Sequence, residues 1–145
     1  MEMTGLRLYK CEKLRSRTAV GRLFDGGGNS TIAYPLRAVF HFHEPHGDAA
    51  AQFLITIPKK KIRTAVGRVL LRRRTREAYR LNRHLLVPAL HEAGVAVDIA
   101  FIYLSTDRAP YEVIEAKMQE LLRRIARDAA KEAAKPLNAN ENTVE

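Results

Sequence analysis

Between Pro58 and Arg83 the sequence places eleven lysines and arginines beside a single acid, Glu77. The cations are Lys59, Lys60, Lys61, Arg63, Arg68, Arg72, Arg73, Arg74, Arg76, Arg80 and Arg83. Lysine brings a compact point charge, and arginine a planar fork that meets phosphate oxygens bidentately. Arg68, Arg72, Arg76 and Arg80 recur every fourth residue, which on a helix makes a continuous ridge that Arg83 extends. Arg73 widens the basic surface and stands four residues before Glu77, within pairing distance on a helix, while Arg74 falls nearer the opposite border. Burying this many cations would require almost as many carboxylates. The segment has one, so the ridge faces water or a polyanion. A solvated face on a basic protein is the plainer reading, but the one-sidedness favours a phosphate-rich partner.

No catalytic constellation accompanies the ridge. The few serines lie outside any nucleophile-elbow setting. Glu77 among arginines stays ionised, which suits an ion partner and not a proton-transfer group. Asp98 has no second carboxylate close in spacing. Cys11 is the only cysteine, so an intrachain disulfide is excluded and a cysteine zinc site disfavoured. His41, His43 and His46 cluster without a ligand-type partner at suitable spacing, and read as a polar strand end. The expected lists of catalytic and metal-binding residues in this chain are therefore empty.

The ridge needs a helix beneath it. Ile62, Ala65, Val66, Val69, Leu70, Ala78 and Leu81 recur at three and four, which predicts an amphipathic helix from about Thr64 to about Leu85. Val66, Leu70 and Ala78 are expected to face a sheet. Gly67 costs this helix roughly 1 kcal/mol against Ala, and permits a close backbone approach to a sheet or phosphate. Pro88 and Gly94 bracket either a second short helix or a bent continuation of the first.

Upstream, a short helix ends near Phe24 and starts either after Ser16 or near Cys11 and Glu12. Leu14, Val20, Leu23 and Phe24 form its apolar side, and Gly26 to Gly28 make a turn. Ile32 to Phe42 is strand-like, with 31–34 either a separate small strand or its lead-in. Leu36, Ala38, Phe40 and Phe42 alternate with Arg37, Val39, His41 and His43. A turn over 44–48 leads to a strand at 51–57, close enough in sequence to pair antiparallel with the one before. Val95 to Leu104 is apolar on both sides beyond Asp98, as a strand buried on both faces would be. A helix from about Tyr111 to about Ala134 buries Val113, Ile114, Met118, Leu121, Leu122 and Ile125.

The chain has 145 residues, 46% hydrophobic and 28% charged, with a formal net charge of +9. These values fit one globular domain over 1–134 followed by a disordered polar tail over 135–145. No apolar run is long enough to span a membrane, and the N-terminus lacks a signal-peptide core. A soluble, cytoplasmic protein is expected. The element order predicts a compact two-layer α/β or α+β domain, and an α+β two-layer sandwich is expected.

The residues also resemble the protein subunit of bacterial ribonuclease P. The resemblance rests on Ile57-Pro58-Lys59-Lys60, Ala65-Val66, Arg68, Arg72, Arg73 and Arg76-Glu77-Ala78-Tyr79-Arg80. Leu14, Val20 and Leu23-Phe24-Asp25-Gly26 resemble that family's first helix and glycine turn. Asp98 to Ile102 resembles its last strand, and Tyr111 to Arg127 its last helix. The likeness covers roughly Leu6 to Arg127. It departs at Val69 and Leu70, where the family carries Asn-Arg after Arg68, and at Val20, often phenylalanine there.

The resemblance implies a mixed four-stranded β-sheet packed with three main helices. It is a ribosomal protein S5 domain 2-like fold with a left-handed βαβ crossover, against the usual handedness. It further implies a ribonucleoprotein partnership with a catalytic RNA and with precursor tRNA, whose 5′ leader is removed. Mg²⁺ held mainly by the RNA would serve the chemistry, and no obligate protein partner or membrane is implied. Lys59, Lys60, Lys61, Arg63, Arg68, Arg72, Arg73, Arg76 and Arg80 would contact RNA. Val20, Phe24, Phe40 and Phe42 would line a cleft for the leader. A ribosomal or assembly protein that binds RNA without an enzymatic role is the alternative.

Overall fold

The computed structural model describes residues 8, 10–24, 28–45 and 49–134. Strand β1 (Asn29–Ala33) pairs antiparallel with β2 (Leu36–His43) across a tight turn containing a cis Tyr34–Pro35 peptide. Strand β3 is Ala51–Thr56 and β4 is Ala96–Tyr103. Helix α1 is Arg17–Arg22, α2 Ala65–Asn82, α3 Val87–Ala93 and α4 Tyr111–Ala134. Short 3₁₀ turns occupy Lys10–Glu12 and Arg83–Leu85. The readings made for Gly26 and Gly27 and for the 135–145 tail lie outside the described residues.

Local chemistry explains the boundaries. Ser16 accepts from the Ala19 N–H and caps α1, which settles its start. Thr64 does the same for α2 through the Gly67 N–H. Gly94 ends α3 with φ at 71°, a left-handed position suited to glycine. Thus α3 is a separate helix, joined to α2 by the 3₁₀ turn.

The sheet order is β1-β2-β4-β3, with β4 antiparallel to β2 and parallel to β3. The expected β2–β3 pairing does not form, because β4 inserts between them. Seven of its eight residues are buried, and a doubly apolar strand gains most at the centre of a sheet. The N-terminal segment then adds a parallel bridge from Lys13 to Phe53, on the outer side of β3.

The two sheet faces carry different cores. Leu36, Ala38 and Phe40 of β2, Ala51 and Phe53 of β3, and Val97, Ile99, Phe101 and Tyr103 of β4 join the helical layer. That layer supplies Leu71, Ala78 and Tyr79 of α2, Leu90 of α3, and Ile114, Met118, Leu121, Leu122 and Ile125 of α4. Each fully buried Leu, Ile, Val, Phe or Met side chain among these contributes about 1.5–3 kcal/mol relative to exposure. On the opposite face Val39 and Ala100 pack with Leu14, Ala19 and Leu23, flanked by Val20, Leu54 and Ile102. Helix α1 therefore lies on the face that α2–α4 leave uncovered.

Helix α2 buries a different stripe from the one its valines predict. Gly67, Leu71, Thr75, Ala78, Tyr79 and Asn82 point inward, while Val66 is 75% and Val69 45% exposed. Thr75 can be buried because its hydroxyl donates to the Leu71 carbonyl at 2.8 Å. The Asn82 amide donates to the Ala78 carbonyl at 2.8 Å and to Glu115 at 3.0 Å, and its oxygen accepts from Gln119. In α4, Val113 is likewise exposed, while Ile114 and the rest of the expected stripe are buried.

Candidate nucleic-acid interface

The outward arc of α2 carries Arg72, Arg73 and Arg76, all exposed, and the half-exposed Arg80. Arg80 forms a fork with Glu77, Nε to Oε1 at 2.9 Å and Nη2 to Oε2 at 2.6 Å. Glu77 thus pairs with Arg80 and not with the Arg73 expected from spacing. The hydrogen bond from Arg80, aided by the charges of Arg80 and Arg76, holds the Glu77 carboxyl below its ordinary value despite partial desolvation.

Two members of the sequence series do other work. Arg68 donates through Nη1 to the carbonyls of Ile62 at 3.0 Å and Arg63 at 2.9 Å, fastening the lysine loop to α2. Arg83 does not extend the ridge. It is buried and donates to both carboxylate oxygens of Glu12 at 2.6 Å. A buried guanidinium needs such a carboxylate, and here a distant segment provides it. Arg74 reaches the other border and donates to the Ala109 carbonyl at 2.6 Å.

Lys59, Lys60, Lys61 and Arg63 are exposed in the loop before α2. The Pro58 carbonyl accepts from the N–H groups of Lys61 and Ile62, and Ile62 is buried beneath. The loop is therefore a held turn with its cations outward.

Sequence reasoning missed the cations across from the ridge. Leu14 N–H donates to the Phe53 carbonyl at 2.9 Å, and Gln52 donates to the Cys11 carbonyl at 2.8 Å. These bonds dock the N-terminal segment beside β3. Lys13 and Arg15 then line one groove with Arg72 and Arg76, over an apolar floor of Leu14, Phe53 and Leu54. The signal was present in the run of Lys10, Lys13, Arg15, Arg17 and Arg22.

Two of the four cleft residues are misplaced. Phe40 is 1% exposed and Phe42 packs beside it, both against the α2–α4 core, their rings 5.6 Å apart. A ligand lying between the sheet and α1 would be on the opposite face. Val20 packs, half-buried, with the cluster on the α1 face, and Phe24, just after α1, is 51% exposed. The sheet residues alternating with Phe40 and Phe42 are Arg37, Val39, His41 and His43, and they share this face with Leu54 and Ile102. There His43 also bonds Asp98 at 3.1 Å and the Glu44 carbonyl at 2.8 Å.

Among the described residues no group of three His, Cys, Asp or Glu side chains converges as metal ligands would, and no helix is long and apolar enough to cross a membrane.

Residues 8–126 match the Ribonuclease P family. The chain is 38% identical over 128 residues to the ribonuclease P protein component of Porphyromonas gingivalis, covering 88% of this chain and 93% of that protein. It is 32% identical over 127 residues to the one from Chlorobaculum tepidum, covering 81% and 82%. The fold is similar to the RNase P protein from Thermotoga maritima, with a TM-score of 0.59 at 23% identity over 78% of this chain and 96% of that one. It is also similar to the Staphylococcus aureus RNase P protein, with a TM-score of 0.60 at 18% identity over 81% and 96%. The order of elements on both sides of the basic helix, and not the helix alone, carries these matches: the chain belongs to the bacterial ribonuclease P protein family.

Proposed function

We propose that this chain is the protein subunit of a ribonuclease P ribonucleoprotein, binding the catalytic RNA and assisting removal of the 5′ leader from precursor tRNA. The supporting observation is the exposed Arg72–Arg73–Arg76 arc beside the lysine loop, in a chain of this family. Glu77, the one acid of the segment, forms its ion pair with Arg80, which leaves Arg72, Arg73 and Arg76 without a paired carboxylate among the described residues. The arc, the loop and the groove cations then act on phosphate through charge and bidentate hydrogen bonding.

The assignment of Lys59, Lys60, Lys61, Arg63, Arg72, Arg73, Arg76 and Arg80 to the RNA surface stands on this exposure. Arg68 serves it by holding the loop. For the leader, Val20 and Phe24 remain, and the sheet contribution moves from Phe40 and Phe42 to Arg37, His41 and Ile102. A single strand there meets apolar and aromatic surface for its bases and cations for its backbone. Bound Mg²⁺, held mainly by the RNA, supplies activation of water and stabilisation of the leaving oxygen. This chain's residues screen phosphate repulsion and orient the substrate.

Mixing the purified protein with its ribonuclease P RNA and labelled precursor tRNA at low Mg²⁺ tests this reading. Cleavage at the mature 5′ end should be stimulated, with none from protein alone. Absence of stimulation across a range of Mg²⁺ and salt would overturn it.

A further inference from the structure

The loop between β4 and α4, residues 104–110, brings a cation to the start of α2 that the reading above does not use. Buried Tyr103 holds this loop from below. Its hydroxyl donates to the Asp107 carbonyl and accepts from the Ala109 N–H at 2.9 Å. Ser105 Oγ accepts from the Asp107 N–H at 2.9 Å, and Arg74 of α2 donates to the Ala109 carbonyl. The backbone on both sides of Arg108 is therefore fixed.

So held, Arg108 lies against the first turn of α2. Its Nη2 donates to Thr64 Oγ1 at 3.0 Å, the same hydroxyl that caps the helix. Gly67 makes the approach possible. A Cβ there would sit 3.0 Å from Arg108 Nε and 2.8 Å from both Thr64 Oγ1 and Ile62 Cγ2.

Arg108 closes a depression of about 430 Å³ with Lys60, Lys61, Arg63, Thr64 and Thr106. None of these four cations is in an ion pair among the described residues. Asp107, the one acid in the loop, is not on its wall. Four like charges repel one another, and a ligand anion relieves that repulsion. The positive end of the eighteen-residue helix α2 adds to the same field.

We propose that Arg108, Lys60, Lys61 and Arg63 form a discrete pocket for a backbone phosphate of RNA, which makes the β4–α4 loop part of the RNA interface. This rests on the ribonuclease P reading and extends it to a loop outside the basic helix. The chemistry is that of a phosphate group, free or polymeric. All four cations are exposed, so they grip a ligand from an open rim. A strand running past is accommodated by that geometry, and a small free ion is not enclosed by it.

The test is RNA binding by the full chain as a function of salt. Arg108→Gln should lower the slope of log affinity against log salt by about 0.7–0.9, the loss of one phosphate contact. Arg108→Lys should restore it by returning the charge. Lys60→Gln with Lys61→Gln, which leaves the Thr64 cap untouched, should also lower the slope, and thermal melts report whether each variant is folded. Wild-type binding with an unchanged slope in both glutamine variants overturns the pocket and leaves the ribonuclease P reading standing. No binding by the wild type sinks that reading and the pocket with it. Titration of the protein alone with orthophosphate separates the two sources. Saturable binding that Arg108→Gln abolishes would assign the pocket to a free anion, against the proposal.

Discussion

Tyr79 shows how one side chain couples the basic helix to the core. Its ring lies 4.3 Å from Phe53 and 5.8 Å from Phe101, centroid to centroid, so α2 is keyed to β3 and β4 by aromatic packing. Its hydroxyl is buried and has no hydrogen-bond partner among the described residues. Burial pushes the ionisation of that hydroxyl well above its ordinary value near 10, Glu12 adds to the shift and Arg83 opposes it. A folded-state pKa above the unfolded one gives a contribution that is complete below about pH 10 and is lost as pH rises from there toward the folded value. Melting temperature should therefore fall through the range from pH 10 to 12. Tyr79→Phe should flatten that fall. At pH 7 it should hold stability or raise it by about 1 kcal/mol, because an unpartnered buried hydroxyl is a cost. Some slope should persist from Tyr111, which desolvation first and then Glu115 push up to about 12. Identical alkaline slopes in the two proteins would show that Tyr79 is not a source of the loss.

At the scale of elements, sequence periodicity located the helices and strands well and chose their faces less well. The existence of α2 was legible in its apolar spacing, and its outward arginines in the scarcity of acids. Of its inward stripe only Ala78 was legible, and Val66, expected there, is exposed. Thr75 and Asn82 are polar and fall outside the apolar series, and they are buried with Leu71, Ala78, Glu115 and Gln119 supplying partners, two of them from α4. Val66 and Val69 read as core, and lie on the arc that α2 turns outward. In β2 the alternation was read correctly, but local sequence does not say which face receives α1. Phe40 and Phe42, expected in the cleft, belong to the core instead. The central place of β4 was hinted at by its two apolar sides, while the order of strands depends on long-range pairing. Of the ridge, Arg68, Arg80 and Arg83 have partners within the protein, while Arg72 and Arg76 stay exposed and line the groove. Replacing both with alanine should lower the salt slope of RNA binding by roughly 1.4–1.8, two contacts at 0.7–0.9 each. Both side chains are exposed, so the melting temperature should hardly move. A slope like that of the wild type would mean that the arc faces away from the RNA.

Across the whole molecule, charge and apolar surface are divided between two working sides. The formal net charge of +9 draws a polyanion from a distance, but it does not orient one. Orientation comes from the sheet. Its helical face is closed by α2–α4, and its other face is shared with α1, where Phe24 stays 51% exposed. An exposed aromatic just after α1 is suited to stacking on an unpaired base, worth about 1–3 kcal/mol. Phe24→Ala in the reconstituted holoenzyme should therefore weaken binding of precursor tRNA that carries a leader by roughly tenfold, and leave leaderless tRNA bound as before. Phe40→Ala is the counterpart on the closed face. It should cost about 3–5 kcal/mol of stability, as loss of a buried aromatic ring does, without distinguishing the two tRNAs. Equal losses with and without the leader in Phe24→Ala would place that ring's role in the fold or in catalytic-RNA binding, and would return the leader to another surface. A leader-dependent loss in a well-folded Phe40→Ala variant would carry the opposite message, that the strand passes on the helical side of the sheet.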